Sequence, residues 1–296
     1  MYMGINFTNG SELLHLCNKS NVRIYELMLV REVHISQRNK DLIINEMKEN
    51  LEVMKKAIER GLTEDVRSVS GLTGGDAKKL RSYYEKEQTI AGGDLNSAVA
   101  AAMAVLEVNA AMGQIVAAPT AGSSGIIPGS IITTAGRFGK NDKDIINALF
   151  TAAAVGYLIT RNATVAGAEG GCQAETGSAA AMAAAAIVEM LGGTPAQALD
   201  AAAMAIKNIL GLVCDPIAGL VEAPCIKRNA IGTANALISA DMALAGITSI
   251  IPFDEVVEAM LKVGRSLPCE LRETGTGGLA WTPTGRQIHE RIFGKP

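Results

Sequence analysis

The run Gly167-Ala168-Glu169-Gly170-Gly171-Cys172-Gln173-Ala174-Glu175-Thr176-Gly177 sets a glycine-rich break beside a thiol. It leads straight into Ser178-Ala179-Ala180-Ala181-Met182-Ala183-Ala184-Ala185-Ala186-Ile187-Val188-Glu189-Met190-Leu191, which is mostly alanine. Alanine is the best helix former and has almost no girth, so the second segment reads as a helix that neighbouring backbones can approach closely. Gly170-Gly171 lets the chain pass close to another group. Cys172 therefore stands at the mouth of a thin helix. Two further thiols lie at similar breaks, in Cys214-Asp215-Pro216 and Ala223-Pro224-Cys225, 42 and then 11 positions along the chain. Proline fixes the local dihedrals and ends helices at both places. Three cysteines so placed look positioned for one inorganic centre.

Other readings of these thiols exist. A single cysteine inside a helix is commonly a small buried apolar residue. Disulfides would close the two loops, but five cysteines with no secretory leader point to a reducing compartment. Zinc sites favour four protein ligands and close Cys-x-x-Cys pairs, and the sequence has neither. Iron-sulfur clusters need thiolates and accept wide spacing, because the fold gathers them. Cys269 also follows a proline, so spacing alone leaves open which three thiols, or whether all four, bind metal.

Around this stretch the chain reads as all-α. Its 296 residues can bury a substantial core, and with aromatics at only 4% that core must be built from small side chains, which favours helix on helix. The apolar period predicts one interrupted or two short helices over 9–36, and a long one over 40–62 stopped by Gly61. His15 and His34 read as ordinary helix-face residues. Further helices are expected from Gly93 to about Met112 with Asp94 as cap, and over 141–162, 178–191 and 229–246. Another begins at Thr194-Pro195 and ends near Leu210, and one more covers 253–263. The tail from Arg272 to Gly285 reads as a loop, with Arg272 and Glu273 either an ion pair or part of a pocket. A single domain over 1–296 is expected.

A net charge of −3 gives no electrostatic case for nucleic acid. The longest uncharged run, 108–136, holds Asn109, Gln114, Pro119, Ser123, Ser124 and Pro128, which lipid would penalise. The protein is expected to be free of the membrane, and cytoplasmic.

Two glycine- and hydroxyl-rich segments are the remaining site candidates. Ser70-Gly71-Leu72-Thr73-Gly74-Gly75-Asp76 alone is a helix-capping turn. Pro119-Thr120-Ala121-Gly122-Ser123-Ser124-Gly125-Ile126-Ile127-Pro128-Gly129 offers many donors aimed at one place, without the P-loop lysine or a Rossmann glycine pattern. A small amino acid's carboxylate suits such donors.

These two segments, Gly167 to Ser178, Cys214 to Cys225 and Arg272-Glu273-Thr274-Gly275 together resemble the α chain of iron-sulfur-dependent L-serine dehydratase over nearly the whole length. The resemblance implies a [4Fe-4S] cluster on Cys172, Cys214 and Cys225, with Cys17 and Cys269 left structural. It implies a substrate pocket at Ser70, Thr73, Gly74, Thr120, Ser123, Ser124 and Gly125. The implied reaction is amino-acid catabolism, L-serine to pyruvate and ammonia, which supplies gluconeogenesis. Such enzymes have a β chain or domain with histidine loops. No histidine of this chain falls in a glycine-rich segment, so the general base is expected on a separate β chain in a heterodimer. The chain ends Phe293-Gly294-Lys295-Pro296, so a cysteine tail serving the fourth iron is not expected. Three alternatives stay open. One is a lyase acting on L-cysteine or L-threonine, and another is a non-enzymatic iron-sulfur scaffold or sensor. The third, a pyridoxal-phosphate dehydratase, lacks a lysine beside a phosphate loop.

Overall fold

The computed structural model describes residues 6–294; Lys295 and Pro296 lie outside the described residues. Among the described residues there is no β-strand, and one isolated parallel bridge pairs Cys214 with Arg272. The expected all-α class is what the structure shows. In chain order the helices are α1 (Gly10–Ser20), α2 (Ile24–Ser36), α3 (Lys40–Thr63), α4 (Asp76–Lys86), α5 (Gly92–Ala110), α6 (Ile126–Arg137) and α7 (Asp142–Asn162). There follow α8 (Gly167–Gly170), α9 (Ser178–Met190), α10 (Pro195–Lys207), α11 (Cys225–Leu244), α12 (Phe253–Ser266) and α13 (Pro283–Phe293). No described helix is long and apolar enough to cross a membrane.

Two helices without a polar face form the centre. Helix α9 is buried from Ser178 through Glu189 and is surrounded by α6, α7, α10 and α11. Helix α5 is buried from Ala100 through Val108 and is flanked by α3, α4, α6 and α11. An α-helix normally keeps one stripe for solvent; alanine on every side removes that need and allows packing all round. Helices α6 and α11 touch both central helices and join them.

Several sequence expectations change here. Gly61 does not stop α3, which runs on to Thr63; a Cβ at Gly61 would stand 2.5 Å from the Ala104 carbonyl oxygen of α5, so the glycine is there for close approach. Asp94 does not cap α5 but pairs with Arg137 at 2.9 Å. Residues 126–129 are the first turn of α6, which tolerates Pro128 because first-turn N–H groups have no helical partner. Helix α11 starts at Cys225, four residues before the expected Asn229. Helices α4, α6 and α13 were not anticipated, and the last three residues of the expected tail loop, Pro283 to Gly285, begin α13. Arg272 and Glu273 form no ion pair with each other.

Buried carboxylates on the central helices hold outer helices by their N-termini. Glu189 of α9 accepts from the backbone N–H groups of Ile24 (2.5 Å) and Tyr25 (3.2 Å) at the start of α2, and from the Thr151 hydroxyl. Glu107 of α5 accepts from those of Gly75 (3.1 Å), Asp76 (2.7 Å) and Ala77 (3.3 Å) at the start of α4. Both use a carboxylate where a helix exposes unpaired N–H groups and a positive dipole end.

Two stability predictions follow from this packing. On helix propensity alone Gly61→Ala gains about 1 kcal/mol. The contact with Ala104 makes it an overpacking change costing about 1–3 kcal/mol, read as a lower urea midpoint. Burial pushes the Glu189 carboxyl above its ordinary value of 4.5, against the pull of its hydrogen bonds. The folded state thus binds this proton more tightly than the unfolded chain, and the stability so gained is full below pH 4.5 and lost as pH rises through the raised value. Thermal melts from pH 4 to 8 should show wild type losing ground to Glu189→Gln as pH rises; a pH-independent gap contradicts this.

Candidate metal centre

The first thiol is set by a chain that turns sharply on glycine. Helix α8 ends at Gly171, whose φ of 74° suits glycine and whose Cβ would stand 2.9 Å from the Leu212 carbonyl oxygen. Cys172 follows, buried, and the chain enters α9 through a π-helical turn, Gln173–Gly177. That turn brings Thr176 Oγ1 to 3.2 Å from Cys172 Sγ. Such turns are frequent at functional sites.

Gln173 stitches this turn to the second thiol's segment. Its N–H donates to Leu212 O (3.0 Å) and its Oε1 accepts from Gly211 N–H (2.9 Å), while its Nε2 donates to Gly170 O and Met260 O. Two residues on, Cys214 has both backbone groups committed. Its N–H donates to Leu271 O (2.8 Å) and its carbonyl accepts from Glu273 N–H (2.7 Å). The third thiol, Cys225, is buried at the head of α11.

The three thiols share one electrostatic environment. Cys172 and Cys214 act on each other, which pulls the Cys172 thiol below its ordinary range and pushes that of Cys214 far above it. Burial, then the Cys172 charge, pushes Cys225 up to about 12. Burial also raises Glu175, whose Oε2 lies 3.8 Å from Cys214 Sγ and whose Oε1 accepts from Thr120 Oγ1 at 2.7 Å. Arg228 answers these groups; its charge lowers Cys172, Glu175 and Cys225 alike. So many acidic groups cannot all ionise in a dry pocket beside one guanidinium. Added positive charge would let them.

The donor set fits a thiophilic metal group. None of the five cysteines is in a disulfide, and the three candidate thiols, from separate segments, are all buried, with the Cys172 charge felt at both Cys214 and Cys225. Thiolates select soft or iron-sulfur centres. One donor from each of Glu175, Cys214 and Glu273 also lies within 4.8 Å of the others, close enough to share a single ion. Cluster thiolates each take a different iron, so the three cysteines need not crowd as tightly as that trio. Cys17 lies apart in the α1 core, its thiol raised by burial to about 12, and Cys269 is exposed.

The expected substrate segments occupy two places. Thr120 and Ser123 hydroxyls stand 3.1 Å apart beside Glu175 and belong to the thiol pocket. Ser124 is buried and donates to Ala121 O (2.8 Å); Gly125 N–H donates to Asn229 Oδ1 (3.1 Å), and its missing Cβ admits the Ala102 carbonyl oxygen. Ser70 Oγ and Thr73 Oγ1 instead meet the buried carboxylate of Glu222, at 2.8 Å each. Gly74, at φ 135°, lets its backbone lie against Val66 O. The turn at 70–76 leads into α4 but supplies no side-chain cap to it; Glu107 of α5 takes the N–H groups of Gly75, Asp76 and Ala77 instead.

Glu175 and Glu222 lay within the quoted stretches without a role, and Arg228 was missed. Its signal was available: three residues after Cys225 in a helix, it shares that residue's face. His15, His34 and His289 are all exposed. His289 lines a cleft of about 420 Å³ together with Gly219, Thr274 and Arg286.

The family model described as serine dehydratase alpha chain matches residues 19–280. This chain belongs to that family. Among its members, the probable L-serine dehydratase alpha chain of Bacillus subtilis is 52% identical over 97% of this chain and 96% of its own. The L-serine dehydratase alpha chain of Peptoniphilus asaccharolyticus is 49% identical over 94% and 95%. The L-serine dehydratase of Streptomyces coelicolor is 38% identical over 93% of this chain, a match that covers 60% of the longer protein.

Proposed function

We propose that this chain is the α subunit of an L-serine ammonia-lyase, converting L-serine to pyruvate and ammonia in the reducing cytoplasm, as one domain that works with a separate β chain. The observation that carries the proposal is that Cys172, Cys214 and Cys225 are all buried and free of disulfides, and close enough that the Cys172 charge raises both of the other thiols. Loss of the serine Cα proton and β-hydroxyl gives water and aminoacrylate, whose imine tautomer takes the water back to yield pyruvate and ammonia. Hydroxide leaves poorly, so its oxygen needs a strong electrophile. A [4Fe-4S] cluster on three thiolates supplies one when bound, because one iron has no protein ligand and acts as a Lewis acid.

The chain's own residues then have definable work. Cys172, Cys214 and Cys225 give up thiol protons on loading, which Arg228 favours. Glu175 is biased toward holding a proton, and with the Thr120 and Ser123 hydroxyls it forms a polar wall that can orient a small amino acid. The Ser70 and Thr73 hydroxyls, gathered on Glu222, offer a second polar wall, with Gly74, Ser124 and Gly125 shaping the backbone around both. The Cα proton needs a base near the operating pH, and we assign that base to the β chain.

Anaerobic reconstitution tests the reading. Wild type should take up iron and sulfide, and Cys17→Ala should match it. Cys172→Ala, Cys214→Ala and Cys225→Ala should each fall to background. Pyruvate should form from L-serine only when β chain is added. Loss of iron from Cys17→Ala alone, or full turnover by this chain without a partner, would contradict the assignment.

A further inference from the structure

Cys214 is the only one of the three thiols that sits on an irregular segment, since Cys172 leads into α9 and Cys225 heads α11. A thiol on a loop needs something else to fix its distance from the helices. Arg228 is that contact. On α11, one turn past Cys225, its Nη1 donates a hydrogen bond to the Val213 carbonyl at 2.8 Å, while its Nη2 lies 2.7 Å from Asp215 Oδ1 as an ion pair outside hydrogen-bond geometry. The two ends of one planar guanidinium thus grip the residues on either side of Cys214. Both partners are nearly out of solvent, with side-chain exposures of 12% and 4%. The grip extends one step further, because Asp215 Oδ2 accepts from Leu279 N–H at 2.8 Å. Gly278 leaves room for this, since a Cβ there would stand 2.4 Å from that oxygen.

We propose that Arg228 is a positioning residue for the metal centre, a fork that locks the Cys214 loop to α11 and so fixes the Cys214-to-Cys225 separation. It rests on the metal-thiolate reading above but not on the cluster type or the reaction. The guanidinium geometry is what matters. Lysine keeps the charge, but as a point charge on a flexible stem it does not hold the Val213 carbonyl and the Asp215 carboxylate at once, so Arg228→Lys should not rescue. A desolvated pair broken on one side leaves a buried charge, so Arg228→Gln risks the fold; Asp215→Asn is the milder cut, as its amide still fills the space.

The test uses the full chain, freed of metal and titrated anaerobically with Cd²⁺, following the ultraviolet thiolate-to-cadmium band. Wild type should bind with a band intensity reporting three thiolates. Arg228→Lys, Arg228→Gln and Asp215→Asn should bind about ten- to a hundredfold more weakly, the range seen when residues that orient metal ligands are removed. Their bands should report fewer thiolates, with circular dichroism unchanged in at least Asp215→Asn. Arg31→Gln, a buried arginine of α2 that stacks on Tyr157 of α7, should leave the cadmium band at wild-type intensity. Wild-type affinity and band in both Arg228→Lys and Asp215→Asn would overturn the proposal. A wild type that binds cadmium through three thiols yet never takes up iron would instead overturn the cluster reading and leave the fork standing.

Discussion

A helix buried on every side has nowhere to put its own polar end except inside the protein. Helix α9 is such a helix, because alanine at seven of its 13 positions lets α6, α7, α10 and α11 close around it. Its N-terminus therefore opens in the interior, and there the chain places Cys172. Helix α11 lies against both α5 and α9, and Cys225 at its head is close enough to feel the Cys172 charge. Small-residue packing is thus the source of the thiol pocket. It costs nothing in side-chain entropy at alanine, but it leaves each contact intolerant of extra volume.

The same packing forces polar chemistry into the core, and the molecule meets it with acids. Glu107 and Glu189 neutralise the dipole ends of α4 and α2, while Glu175 and Glu222 collect hydroxyls beside the candidate site. Burial pushes Glu107, Glu175 and Glu189 toward the protonated form, and hydrogen bonds pull each of them back. Glu107 and Glu189 are saturated by backbone donors and read as architecture. Glu175 is different, since it faces thiols whose protons must leave when metal is bound, and only Arg228 answers that cluster with positive charge.

Much of this was legible in the residues. Alanine-rich periodicity named most of the helices, and glycine or proline beside three thiols marked segments whose cysteines are all buried. What stayed hidden was tertiary. Gly61 looks like a helix stop in one dimension and becomes a contact with Ala104 in three. Asp94 looks like a cap and is an ion-pair partner of Arg137. The turn at 70–76 advertises free donors, yet Glu107, a neighbour only through folding, has already taken its N–H groups. Arg228 escaped notice because a lone arginine in a helix ordinarily reads as solvated surface, and its grip on Val213 and Asp215 depends on how a loop returns to α11.

The central claim is that three cysteines, and no fourth, bind one metal cluster in this pocket. A Mössbauer spectrum of the chain reconstituted with ⁵⁷Fe tests it most directly, because iron held by a thiolate and iron without a protein ligand give distinct signals. The account predicts one iron site that differs from the other three and that alone shifts when L-serine is added. Four equivalent thiolate-bound irons, or a spectrum without cluster iron, would contradict it.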